Sequence, residues 1–195
     1  MKKITRDEIL NIYEYEKVRP QKVQEVIQLK KNRRVFIEPW VHLVFENRET
    51  VWFQIQEMIR AERMVREEEI QQEIDVYNDL IPDKNELSVT MFIEIPEASE
   101  RKRLLPQLVG IHDHLYFHIG NKHTIRAIAD ERSKEDYEYG KAAVVHFLKV
   151  KFTEDQVEDF KKEPVKVEIN HPNYRALTSM PEEVKQELIK DLTSE

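Results

Sequence analysis

The chain contains no cysteine, and only three glycines among its 195 residues. The missing thiols exclude disulfides, thiolate zinc sites, Cys-ligated iron–sulfur clusters and cysteine nucleophiles. Any metal therefore needs His and carboxylate ligands. Gly110, Gly120 and Gly140 all lie in the second half, so the first half must turn on Pro, Asn and Asp. No window approaches the ~20 apolar residues that span a bilayer. The N-terminal MKKITRDEIL turns acidic before the apolar core of a signal peptide can form. A soluble, cytoplasmic protein that does not engage membranes is the expectation. Several motifs are missing too: a Gly-rich phosphate loop, HExxH, GxSxG, an EF-hand loop, and the paired Glu-x-x-His of di-iron bundles.

Charge of positive sign is in deficit. The formal net charge of −7 argues against a general nucleic-acid binder, which needs an excess of Lys and Arg on one surface. The run Lys30 to Arg34 (KKNRR) is the best candidate for a local basic patch, but after a helical run it fits better a cationic complement to the helix C-terminus. What the chain does have is 40% apolar and 35% charged residues, with aromatics spread along its length. That suffices for one compact domain over residues 1–195.

Thr5 with Glu8 forms a capping box that starts a short helix, and Pro20 suits the first turn of a second helix carrying Val23, Val26 and Ile27 inward. Val35 to Ile37 and Val41 to Glu46 read as short strands flanking Pro39. Residues 48–80 lack Gly and Pro and show helical spacing. So long a helix is unusual in a small domain, so a break is expected near Met64 to Arg66. Glu86 to Ile95 alternates as a strand, with Leu87, Val89, Met91, Ile93 and Ile95 on one side. Pro96 opens a helix that Pro106 bends or ends.

Strands are expected over His114 to Ile119, Lys122 to Ile128, Lys141 to Val150 and Val165 to Ile169, with a hairpin at Gly120/Asn121. Helices are expected over Glu154 to Lys161 and after Ser179, which would cap the last one. The order implies an α+β fold: a mostly antiparallel sheet packed against several helices.

Three groups of residues stand out chemically. Glu62 projects into the middle of the stripe Val51, Ile55, Met58, Ile59, Val65. A carboxylate there is a candidate general acid or base, or a metal ligand; the alternatives are a salt bridge to Arg34 or Arg48, or a helix that has already ended. In IHDHLYFHIGNKH, His112 and His114 form an HxH pair that could chelate a divalent ion with Glu94 or Asp113, or simply line the polar side of an edge strand. His118 is about 13 Å along a strand from His114, too far to share the ion. Asn47 as a helix N-cap with Arg48 is a candidate anion site, or an ordinary cap with surface ion pairs.

Two blocks, FENRETVWFQIQEMIRAER (Phe45 to Arg63) and LIPDKNELSVTMFIEIP (Leu80 to Pro96), carry a resemblance that continues more weakly through VVHFLKVKF and NHPNYRA. They resemble a family of uncharacterised bacterial proteins known as domain of unknown function 3501. The resemblance brings no catalytic residue and no cofactor. It implies genes for rubrerythrin-like proteins and iron–sulfur oxidoreductases nearby, and hence a role in redox or peroxide metabolism. Two functions are therefore carried forward. One is a non-enzymatic accessory protein that engages a redox partner through aromatics such as Trp40, Trp52 and Tyr174. The other is a metal-dependent or acid/base enzyme built on His and Glu ligands.

Overall fold

The computed structural model describes residues 1–195 as an α+β fold with two antiparallel sheets. The first sheet comprises β1 (Arg34–Ile37), β2 (Val41–Glu46), β3 (Glu86–Ile93), β6 (Ile128–Ala129) and β7 (Val145–Lys151), in the order β1-β2-β3-β7-β6. The second comprises β4 (Leu115–Ile119), β5 (His123–Arg126), β8 (Val165–His171) and β9 (Tyr174–Ser179), in the order β5-β4-β8-β9. Alternation along each strand decides which side chains meet. Leu43, Phe45, Val89, Met91 and Leu148 from the first sheet share one buried cluster with Phe117, Val167 and Ile169 from the second. The rings of Phe45 and Phe117 meet edge to face at 6.1 Å.

The helices are α1 (Ile12–Lys31), α2 (Arg48–Glu62), α3 (Glu67–Asn78), α4 (Ala98–Leu104), α5 (Glu135–Tyr139), α6 (Glu154–Lys162) and α7 (Glu182–Thr193). Val157 and Phe160 of α6 and Val184, Leu188 and Leu192 of α7 join the main core. On the other face of the first sheet lies α2. There the buried Glu46 accepts hydrogen bonds from Thr90 of β3 (2.8 Å) and from Gln54 (3.0 Å) and Thr50 of α2. A second, smaller cluster joins Val51, Ile55 and Ile59 of α2 to Ile70 and Ile74 of α3 and to Ile4 and Ile9 of the N-terminal segment.

The structure meets the expected break in the 48–80 segment: α2 ends at Glu62 and α3 begins at Glu67. Elsewhere it corrects the local reading. Thr5 and Glu8 do form a capping box, but it starts only a single 3-10 turn, Arg6–Glu8. One 20-residue helix then runs from the Asn11 cap to Lys31 with Pro20 inside it, since the Asn11 side chain accepts from the Glu14 N–H at 2.8 Å and fixes the start upstream. The basic run after it is no patch: Lys30 and Lys31 close α1, whereas Arg33 is fully buried against Asp191 and donates to the carbonyl of Phe45 at 2.7 Å. Ser179 ends β9 instead of capping α7, whose N-cap is Pro181. The expected strand at Lys141 begins only at Val145.

Candidate metal centre

His112 does not stand on a strand. It belongs to a 3-10 turn, Ile111–Asp113, that follows Gly110 at φ +81° and precedes β4. The alternation expected of a strand therefore does not apply, and His112 and His114 diverge. The His114 ring meets His171 edge-on at 5.3 Å. His112 is buried, with its ring stacked on His146 of β7 at 5.0 Å and 25°. Its Nδ1 lies 3.6 Å from Oδ2 of Asp136 on α5, and Nε2 of His146 lies 3.4 Å from the same oxygen. All three side chains are almost wholly excluded from solvent.

The polar inventory of this cluster is incomplete. His112 Nδ1 and Asp136 Oδ2 are buried without any hydrogen-bond partner. Buried polar atoms are nearly always satisfied, because an orphaned one costs on the order of 1–3 kcal/mol. The other atoms of the cluster are held in place. Asp136 Oδ1 accepts the Ala143 N–H at 3.0 Å, and His146 Nδ1 lies 2.8 Å from Ser133 Oγ. Asp113 Oδ2 stands 3.5 Å from His112 Nε2 and accepts from the Tyr137 hydroxyl at 2.7 Å. That bond, with burial in support, pushes the Tyr137 hydroxyl up to about 12.

Separations of 3.4 and 3.6 Å are long for hydrogen bonds but match the ~3.4 Å between neighbouring ligands around a tetrahedral ion at about 2.1 Å from each. One ligand atom from each of His112, Asp136 and His146 lies within 4.8 Å of the other two. The surroundings fit as well: outer partners such as Asp113 and Ser133 are what fix the ring orientation of ligating histidines. Burial is the main influence on His146 and pushes its pKa down despite the neighbouring Asp136, which keeps the ring neutral as a ligand must be. Without an ion, His146 Nε2 donates to the carbonyl of Ala143 at 2.9 Å. Ligation through Nε2 would place the ring proton on Nδ1, from which it would donate a hydrogen bond to Ser133 Oγ.

The other expected site residues are placed apart from this cluster. Glu62 is the exposed last residue of α2, and Val65, expected beside it in the stripe, is 77% exposed. Glu94 is exposed just beyond β3, with Nδ1 of His42 at 3.8 Å as its basic neighbour. Asn47 caps α2 reciprocally with Thr50, and Arg48 is engaged by the Glu8 carboxylate and the Lys2 carbonyl. Of the expected aromatic anchors, Tyr174 is buried and Trp40 half-buried. Trp52 is half-buried too, its indole N–H donating to the Glu8 carbonyl at 3.0 Å. His118 pairs with Glu168, and His123 with Asp159. Sequence reasoning found His112 but missed Asp136 and His146. For His146 a signal existed, because it alternates in phase with the buried Leu148 and Val150 on a strand face where an apolar residue belongs.

Fold and cluster together define a two-sheet α+β protein with a buried set of two imidazoles and one carboxylate. The chain belongs to the family described as protein of unknown function, DUF3501, whose model matches residues 3–192. It is similar to a crystal structure of a protein of unknown function from Burkholderia pseudomallei K96243, with 34% identity and a TM-score of 0.91, covering 98% of this chain and 100% of that one. No curated protein matches the chain.

Proposed function

We propose that this protein is metal-dependent, with a divalent transition ion held by His112, Asp136 and His146. The observation that carries the reading is the pair of orphaned buried atoms, His112 Nδ1 and Asp136 Oδ2, that face each other beside a third donor. Two imidazoles and a carboxylate suit iron, manganese or zinc, and three protein ligands leave positions for water or substrate. A bound ion would supply Lewis-acid activation of such a ligand, or electron transfer if it is iron.

The protein's own contribution is to hold the donors, to place a hydrogen-bond acceptor for the His146 Nδ1–H at Ser133, and to keep the cluster dry. A cavity of about 230 Å³ lined by Arg132, Ser133, His146 and Phe147 provides the approach. Iron or manganese at this position would also give the redox association implied by the family resemblance a chemical basis.

Metal content of untagged protein, purified anaerobically without chelator, tests the proposal. About one equivalent per chain is expected, together with a rise in melting temperature when Mn²⁺ or Zn²⁺ is added to stripped protein. At 100 times Kd that rise corresponds to about 2.7 kcal/mol. His112→Ala and His146→Ala should each abolish both. A folded, metal-free protein whose melting temperature ignores these ions overturns the reading.

A further inference from the structure

A concavity of about 1010 Å³ lies between the α2–α3 pair and the β6–β7 edge of the first sheet. Its walls are partly apolar, and two of their side chains are large hydrophobics left in solvent on facing elements: Val76 of α3 is 54% exposed and Ile128 of β6 is 57% exposed. Tyr77 and Phe147 extend this surface inward. A concave, mostly apolar surface with a few polar groups is the usual form of a ligand site, and this one is at the upper end of the ~300–1,000 Å³ range.

Charge specifies the ligand further. Within one wall Arg132 is held by Asp130 at 3.0 Å, and Lys149 by Glu86 at 3.0 Å, so these groups are already satisfied. Three others are not: Glu73 and Asp79 on the α3 side and Arg126 at the end of β5 form no ion pair. Lys151 of β7 pairs with Glu86 only at 4.0 Å, with its side chain 82% exposed. The cleft thus presents unpaired acids on one side, an unpaired Arg126 with the loosely held Lys151 on the other, and an apolar surface between. A ligand complementary to it carries an ammonium group, a carboxylate and an apolar body that separates them.

We propose that this cleft binds a short apolar peptide with free termini, its amino group towards Glu73 and Asp79 and its carboxylate towards Arg126 and Lys151. The volume exceeds what one amino acid fills, which favours two to four residues. The cleft shares Asp130, Arg132 and Phe147 with the small cavity that reaches His146. A bound peptide would therefore lie beside the proposed metal centre, but binding itself does not depend on an ion.

The test is calorimetric titration of stripped, metal-free protein with the tripeptide Leu-Phe-Leu, alongside its N-acetylated and C-amidated forms. One saturable site is expected for the free peptide, with each blocked form bound about fivefold more weakly, as loss of one partly exposed ion pair implies. Val76→Arg, a change at an exposed position, should fill the cleft and abolish binding without altering the melting temperature. Arg126→Glu should weaken the free peptide but not the amidated one. Absence of saturable binding overturns the proposal, as does binding that Val76→Arg leaves intact. Blocked forms that bind as well as the free peptide overturn the assignment of a doubly charged ligand. Because no ion is present, these failures are distinct from failure of the metal reading.

Discussion

Gly110 shows how a single residue shapes the site. Its φ of +81° disfavours other residues, and a Cβ there would stand 2.6 Å from the Tyr137 hydroxyl oxygen. Gly110→Ala should therefore destabilise the protein by about 1 kcal/mol from the backbone alone. It should also push Tyr137 off Asp113, so an ultraviolet pH titration should show the Tyr137 transition fall from about 12 towards 10. An unchanged transition would mean that Tyr137 is not held by Asp113. Glu8 offers a second check. The Thr5 N–H, and then Arg48, hold its carboxyl down at about 2 from an ordinary 4.5. A depressed carboxylate contributes stability that is present above 4.5 and is lost as pH falls towards 2. Carboxyl-carbon NMR should find the Glu8 midpoint near 2, and Arg48→Ala should raise it. At this scale the sequence was only partly legible. The Thr5–Glu8 box was visible in the spacing, but Asp136 had no periodic or motif signal, because its partners come from Ile111–Asp113 and from β7.

Among the elements, the end of α2 explains why Glu62 is not where helical projection placed it. The Met64 N–H reaches back to the Ile59 carbonyl at 3.0 Å and the Arg63 N–H to Arg60 at 3.3 Å, while Met64 packs on the same small cluster as Ile59. This is a Schellman closure, and it ends the helix at Glu62, so the stripe stops before that residue. Arg63 sits at φ 50° and ψ 45°, the left-handed position that such a closure requires and that glycine fills most readily. Arg63→Gly should raise stability by several tenths of a kcal/mol to about 1 kcal/mol, read as a higher urea midpoint at unchanged slope. A lower midpoint would show that the arginine side chain matters more than the backbone. Strand β9 was missed for a different reason. The stretch Tyr174 to Ser179 follows His171 after a two-residue turn, and its outer residues, Leu177 among them, remain exposed at the edge of the sheet, so apolar and polar positions do not alternate cleanly. The α5 segment, Glu135–Tyr139, is too short for a helical period to show.

At the level of the whole molecule, two cores of unequal size meet across the first sheet. The larger holds 30 buried residues, from both sheets, α6, α7 and the segments that connect them; the smaller holds 8, from the N-terminal segment, α2, α3 and Ile81. The α+β class and most of the first sheet could be read from strand alternation because core-facing residues recur at every second position within single strands, Val41, Leu43 and Phe45 in β2 and Leu87, Val89, Met91 and Ile93 in β3. The pairing of β7 with β3, and the stacking of the second sheet on the first, depend on partners more than 50 residues apart in sequence, which no local pattern encodes. The candidate metal centre lies against the large core, whereas the cleft lies between the small core and the sheet edge, so the two should differ in rigidity. Regions with few buried apolar neighbours open first, well below the global unfolding free energy. Native-state hydrogen exchange should therefore find α3 exchanging through a low-energy opening, while β3, β4, β7 and β8 exchange only through global unfolding. Ile74→Ala, in the small core, should speed exchange in α3 by more than tenfold and leave the slowest amides of β4 and β8 much less affected. Leu188→Ala, in the large core, should lower the global stability by about 2–5 kcal/mol and accelerate those slowest amides. Equal acceleration of every amide by both substitutions would mean that the two cores unfold as one unit, and that the cleft is as rigid as the metal centre beside it.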